Sequence, residues 1–271
     1  MPKFDLIVRS RRVVTADGVV AGTVAVTEGR VHSVHGYGAT LDARQETDLG
    51  AVALLPGCVD VDVVVQPPAG QPPELSLREC YTRAARSALR GGVTTFAVAP
   101  APARPAITDS AALWRHHAAA SGIAPNVVFL GGFHRDSARA GLAELRSSGA
   151  VAFWCSLSDG GTPDLPATGR DGLRTAAAEA AGHDTALLVH TEDAGELGVA
   201  GERPTRAERR GLERVVAAAR ASGARTRNPV HRGRVRGARH RGPLTRCHRG
   251  RAHLSALPVS ASRAGSSLRR R

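Results

Sequence analysis

The run 51–68, AVALLPGCVDVDVVVQPP, places two acidic residues in an otherwise apolar stretch and constrains the fold more than any other part of the chain. Residues 58–65 are apolar or β-branched except for Asp60 and Asp62, which predicts a buried β-strand. Side chains two positions apart share one face of a strand, so Asp60, Asp62 and Val64 are expected on the same side. Buried carboxylates need partners, so this strand is expected to carry either a structural hydrogen-bond network or a functional site.

Strand and helix patterns alternate from there to residue 223. Strand-like runs lie at 58–65, 94–99, 126–131, 150–157 and 185–190, and helix-like runs at 74–90, 110–121, 136–148, 170–181 and 206–222. The last helix carries a Thr205-x-x-Glu208 capping box and ends before Gly223. Strands recur about every thirty residues, the spacing of βα units in a parallel barrel. The predicted fold class is α/β, a partial TIM (β/α)8-type barrel with about five of its eight βα units.

The first part of the chain has a different pattern. Residues 4–55 consist of short strand-like runs separated by turn signals at Ala16-Asp17-Gly18 and Glu28-Gly29. We therefore predict three segments: a small N-terminal β-sandwich portion at 1–55, the incomplete barrel at 56–224, and a basic tail at 225–271.

The tail carries all of the excess positive charge. Residues 225–271 hold 14 Arg and no acidic residue, which leaves 23 basic against 24 acidic side chains in residues 1–224. Such a segment cannot bury enough apolar surface to offset its ordering entropy, so it is predicted to be disordered. Its composition is also that of a GC-rich gene read out of frame, and a frameshift near codons 224–230 is our hypothesis for it. It has no Phe, Tyr or Trp for stacking, so no specific nucleic acid is predicted as a partner.

The remaining composition indicates a cytoplasmic protein. The four cysteines form no CxxC pair and suggest neither a disulfide framework nor a structural zinc site. The N-terminus lacks the apolar core of a signal peptide, and no apolar run is long enough to cross a membrane, so no membrane partner is expected.

Five short motifs lie in order at the predicted strands. The first is the Leu54-Leu55-Pro56-Gly57 frame that opens the run 54–65. The other four are Gly91-Gly92-Val93-Thr94-Thr95, Phe129-Leu130-Gly131-Gly132, Ala152-Phe153-Trp154-Cys155-Ser156-Leu157 and Leu188-Val189-His190-Thr191-Glu192-Asp193. Together they resemble the barrel-strand motifs of the cyclic amidohydrolases, the allantoinases, dihydroorotases and hydantoinases, with allantoinases most similar. The resemblance implies a barrel flanked by a small sandwich and hydrolytic opening of a small cyclic amide or ureide.

The same resemblance implies a pair of divalent metals, usually zinc, whose shared hydroxide attacks the ring amide. In this chain Asp62 and Val64 stand where the family has its two first-strand histidines, and Trp154 stands where it has the bridging carbamylated lysine. His190 matches a fifth-strand ligand. The resemblance therefore leaves His190 and Asp62 as vestigial metal positions, and it supplies no catalytic and no other cofactor-binding residue. Zinc is the cofactor of the family, but we do not expect this chain to bind it well.

Each of these residues also has a plainer interpretation. His190 resembles a satisfied strand-end histidine, and Asp60 with Asp62 resembles a framework acid beside a substituted ligand. Trp154 is most simply a core residue. The adjacent His116 and His117 are predicted to be a solvated pair on a helix surface.

Three functions follow from these alternatives, and whether the chain is an enzyme stays open. The first is a hydrolase acting on the C–N bonds of cyclic amides, impaired or inactive in this copy. The second is a non-catalytic homologue that serves as a scaffold or partner of an active paralogue, with a homo-oligomer left open. The third is a nucleic-acid-binding protein that acts through its basic tail.

Overall fold

The computed structural model of the chain describes residues 3–66, 76–134, 137, 139–159, 163–197 and 204–228. The strands are β1 Phe4–Thr15, β2 Gly18–Thr27, β3 Arg30–Gly36, β4 Ala43–Asp48, β5 Ala53–Leu54, β6 Cys58–Val63, β7 Val93–Val98, β8 Asn126–Gly132, β9 Ala150–Ser156, β10 Ala186–His190 and β11 Arg225–Arg227. The helices are α1 Leu77–Arg90, α2 Ser110–Ala119, α3 Arg139–Ser147, α4 Gly169–Gly182 and α5 Thr205–Ser222, with a 3-10 turn at Ala194–Glu196.

The N-terminal strands form one five-stranded sheet. Its order is β3-β2-β1-β4, and β5 also pairs with β1. The β2–β3 hairpin turns at Glu28 and Gly29, whose φ angles of 52° and 71° suit the type of turn that joins twisted antiparallel strands. Phe4, Ile7 and Ala25 form its small buried core. The strands and turns predicted for this segment are therefore confirmed.

The second sheet is a curled half-barrel of parallel strands, as the βα spacing predicts. Its order is β11-β10-β9-β8-β7-β6, with every neighbouring pair parallel. Helices α1 to α5 follow β6 to β10 in turn. The largest apolar cluster lies between the sheet and these helices and includes Phe96, Phe153 and Val215. A second cluster, on the other face of the sheet, contains Trp154, Leu130, Leu188 and Leu165.

The first barrel strand is exposed, and the prediction of a buried strand at 58–65 is wrong in this respect. The pattern identified the strand itself, but β6 pairs with β7 alone among the described strands and lies at the edge of the sheet. Val59 is 54% and Val61 47% exposed. A run of apolar residues indicates that a strand is suited to burial. Whether the strand is buried depends on what packs against its two faces.

Two further differences concern α5. The predicted Thr205 capping box is absent, because Pro204 precedes the helix, Thr205 is already helical, and the helix start has no side-chain cap. A capping box occurs instead at the start of α1, where the side chains of Ser76 and Glu79 each accept from the other residue's backbone amide. After α5, the chain turns at Gly223 with a φ of 74°, and residues 225–227 form the short strand β11 beside β10. The pattern did not predict this sixth parallel strand.

The described helices include none that is long and apolar enough to cross a membrane. The prediction of disorder from residue 225 concerns 229–271 for the most part, and those residues lie outside the described ranges. The segment boundaries at 55/56 and 224/225 stay predictions.

Candidate functional site

The curl of the parallel sheet brings together three residues that are far apart in sequence. Asp62 lies near the end of β6, Trp154 lies in β9, and His190 is the last residue of β10. Burial raises the pKa of the Asp62 carboxyl, and the charge of Asp60 raises it further, while His190 and the Trp154 indole act to lower it. These influences place Asp62 within interaction range of both Trp154 and His190.

The contact between Asp62 and Trp154 is polar but incomplete. Asp62 Oδ1 and Trp154 Nε1 are both buried, and neither makes a hydrogen bond of acceptable geometry with any described residue. The indole N–H can only donate and a carboxylate can only accept, so the two side chains are complementary although these two atoms make no hydrogen bond. Two buried polar atoms without a hydrogen bond are costly and are typical of a site that is not a plain core.

His190 already has a partner on the same chain segment. Its Nε2 lies 3.0 Å from Glu192 Oε2, and the two side chains are 19% and 12% exposed. The neighbouring carboxylate orients the imidazole ring. The sequence identified His190 as a strand-end residue, whereas the ion pair within the His-Thr-Glu run was not foreseen.

The segment after β10 packs closely against α5. Arg214 Nη1 lies 2.5 Å from the buried Asp193 Oδ2, and the Asp193 amide donates to the Ala207 carbonyl at 3.1 Å. Gly211 packs so closely that a Cβ on it would lie 2.6 Å from the carbonyl carbon of Thr191. Sequence reasoning used Asp193 as part of a motif and missed its ion pair, since nothing in the local pattern links positions 193 and 214.

The residues present do not fit a dinuclear metal centre. No cluster of three or more His, Cys, Asp or Glu side chains that could hold a metal occurs in the part of the chain that the structure describes. Val64 has no lone pair and is 45% exposed just beyond β6, and Trp154 offers an N–H donor where a bridging ligand is needed. Of the positions that match the family's ligands, Asp62 and His190 thus keep side chains that can bind a metal, and His190 is already paired with Glu192.

Asp60 lies on the same strand but in a more open position. Its Oδ1 accepts a long hydrogen bond of 3.4 Å from the Asp62 amide, and its side chain is exposed. The two acids therefore differ in environment, with Asp62 the partly buried member of the pair.

The prediction of a solvated His116–His117 pair is wrong for His116. His116 is fully buried, with Nδ1 2.8 Å from the Tyr81 hydroxyl and Nε2 2.8 Å from the Pro105 carbonyl, while His117 is exposed. A carbonyl can only accept, so Nε2 carries the proton and Nδ1 accepts from Tyr81. Of the two adjacent histidines on α2, His116 therefore points inward, and its hydrogen bonds join α1 to the loop before α2.

Comparison with known proteins agrees with the sequence motifs. No family model matches the chain. The allantoinase of Streptomyces avermitilis is 34% identical over 206 residues, 75% of this chain and 45% of that protein. The allantoinase of Rubrobacter xylanophilus is 31% identical over 195 residues, 71% of this chain and 41% of that protein.

A solved structure supports the same fold. The L-hydantoinase of Arthrobacter aurescens superposes with a TM-score of 0.71 at 20% identity, over 82% of this chain and 52% of that one. The chain thus spans about half the length of these relatives.

Proposed function

The chain belongs to the cyclic amidohydrolase family, and we propose that its half-barrel scaffold does not assemble the hydrolytic centre of that family. Members of the family are metal-dependent. The observation that carries the proposal is the environment of Asp62, which adjoins the Trp154 indole instead of a metal-bridging side chain. Burial favours the protonated form of this carboxyl, and a protonated carboxyl is a poor metal ligand.

The ligand class is proposed from the relatives. Allantoinases and a hydantoinase match this chain, so a small cyclic amide or ureide is the molecule that we propose for the open end of the half-barrel. If a metal binds there, we propose zinc, held weakly by Asp62 and His190. The protein is proposed to act in the cytoplasm.

Metal content and turnover test this proposal. The purified full chain should hold much less than one zinc per chain after exposure to zinc and gel filtration, as measured by elemental analysis. It should open the ring of allantoin and of hydantoin no faster than buffer. Two retained zinc ions together with ring opening above the buffer rate would refute the proposal.

A restored site provides the sharper comparison. The triple variant Asp62→His, Val64→His and Trp154→Lys returns the family's donor types to three positions and should raise zinc retention toward one ion per chain. The matched variant keeps both histidines but carries Trp154→Met, which cannot bridge metals through a carbamate. Equal zinc retention in the two variants would show that Trp154 does not occupy the bridging position.

A second candidate function is that of a non-catalytic scaffold, and the exposed edge of the barrel favours it. Val59, Val61 and Val64 are 54%, 47% and 45% exposed on or next to β6, whose second edge pairs with no described strand and so invites pairing. We propose that this edge mediates self-association. Light scattering after gel filtration should show an oligomer that Val61→Lys dissociates, with Val20→Lys on the other sheet as the control. The same monomeric mass for the parent chain and both variants would contradict it.

A nucleic-acid function would depend on residues 229–271, which lie outside the described ranges. It requires base preference and loss of binding when the tail is deleted. Weak binding that disappears with salt would reflect the charge of the tail alone.

A further inference from the structure

The outer surface of the half-barrel contains a groove between α4 and α5 with four arginines in its lining. The groove has a volume of about 350 Å³. Its lining residues are Arg170, Leu173, Arg174, Arg210, Glu213, Arg214, Ala217, Ala218 and Ala221. We propose that this groove binds a phosphate monoester whose organic part is small and apolar.

The charge arrangement supports an anionic ligand. Arg170 and Arg174 are one turn apart on α4, and Arg210 and Arg214 are one turn apart on α5, so each helix presents a like-charged pair to the groove. Like charges at this spacing repel each other, and Glu213 is the one acid in the lining. Arg170 and Arg210 make no ion pair with any described residue, and both are exposed. An anion between the helices would relieve the repulsion.

Arg214 gives the groove a fixed point. Its side chain is 31% exposed, and the contact with Asp193 orients its guanidinium. The contact printed with Asp193 involves Nη1 alone, and the side chain also lines the groove, so other donors of the guanidinium remain for a ligand. Planar guanidinium groups with spare donors bind the oxygens of phosphate in pairs, which a lysine cannot do.

The apolar floor of the groove indicates the nature of the organic part of the ligand. Leu173 and Ala218 are buried beneath it, 2% and 5% exposed, and Ala217 and Ala221 extend the apolar surface along α5. A volume of this size is at the low end for small-molecule sites, so a single ring is the largest body that it holds. The combination of cationic rim and apolar floor favours an aryl or alkyl phosphate over free phosphate.

The groove is also connected to the candidate site. Arg214 joins it to Asp193, which lies three residues after His190 in the segment that ends β10. A phosphate bound to Arg214 would share this guanidinium with Asp193. Occupancy of the groove is therefore expected to change the environment of His190.

Calorimetric titration of the full chain with phenyl phosphate, inorganic phosphate and phenol tests the proposal. Phenyl phosphate should bind most tightly and phenol not measurably. The triple variant Arg170→Gln, Arg174→Gln and Arg210→Gln should weaken phenyl phosphate binding about a thousandfold, given roughly tenfold for each charged hydrogen bond lost. The control variant Arg86→Gln, Arg90→Gln and Arg209→Gln removes three exposed charges outside the groove lining and should bind like the parent chain.

A second variant excludes misfolding as an explanation. Glu213→Gln removes the acid from the groove lining and should tighten binding of phenyl phosphate by several-fold. Equal weakening by the two triple variants would overturn the proposal, because it would assign binding to overall charge, the basic tail included. Unchanged or weaker binding by Glu213→Gln would overturn it as well, and neither result depends on zinc content or ring-opening activity.

Discussion

Replacing Gly211 with alanine tests how α5 fixes the end of β10. Gly211 is buried in the middle of α5, and a Cβ on it would overlap the Thr191 carbonyl oxygen and lie 2.6 Å from the carbonyl carbon. Ordinary contacts of a Cβ begin at 3.4 Å, so clearing the carbonyl oxygen requires the helix to move away from the strand by more than about 1.5 Å. The obstacle is backbone, which cannot rotate aside as a side chain can.

Two opposing effects set the magnitude. Alanine is favoured over glycine inside a helix by about 1 kcal/mol. Overpacking against a fixed neighbour costs about 1–3 kcal/mol, and a helix that moves also loses packing at Ala207, Val215 and Ala218. We take the upper end for a backbone clash, so the free energy of unfolding should fall by about 2 kcal/mol.

Urea denaturation followed by circular dichroism measures this change. The control is Gly141→Ala, at a glycine inside α3 where an added Cβ meets no atom within 4 Å. That variant should be more stable than the parent chain by up to about 1 kcal/mol. If Gly211→Ala were as stabilising as Gly141→Ala, the close packing of α5 on Thr191 would be wrong, and with it the rigid support of His190 and Asp193.

Three further predictions concern buried polar groups. Tyr81→Phe should lower the free energy of unfolding by about 1–3 kcal/mol, because the substitution leaves the buried His116 Nδ1 without a donor. Thermal denaturation measures this change, and an unchanged stability would contradict the assignment of the His116 proton to Nε2. Burial lowers the pKa of His116, so as pH falls the unfolded chain binds a proton before the folded chain does. The free energy of unfolding of the parent chain should therefore fall at pH values below 6.5, the pKa of an unfolded histidine, and it should fall less in His116→Gln. Burial raises the pKa of Asp62, so ionisation of this carboxyl opposes folding as pH rises. Asp62→Asn should therefore be more stable than the parent chain at pH 7. A less stable Asp62→Asn variant would mean that the carboxylate has a partner.

The sequence predicted the local elements well where one signal dominates. Apolar runs and helical periodicity located β6 to β10 and the five α-helices of the described residues, and Gly223 marked the end of α5. The hairpin turn at Glu28 and Gly29 followed from the need for positive φ angles. The motifs identified the family, because five short patterns in order at barrel spacing constrain the fold more than any one of them.

Local patterns failed where a residue's environment comes from another part of the chain. His116 is buried because α1 and the loop before α2 cover it, and its own helix gives no sign of this. The exposure of β6 reflects its place at the sheet edge, which its apolar composition conceals. The ion pair of Arg214 with Asp193 joins positions 21 residues apart and has no signature in either neighbourhood.

The sequence by itself determined which chemistry the candidate site lacks, because a valine and a tryptophan supply no metal-binding lone pair wherever the fold places them. The tertiary structure decided what the remaining groups experience. The curl of the sheet brings Asp62 to Trp154 and His190 from three separate strands, and burial there shifts the carboxyl toward its protonated form. A side chain's donors and acceptors are fixed by its covalent structure, whereas its partners and its exposure to water depend on distant segments that only folding brings together.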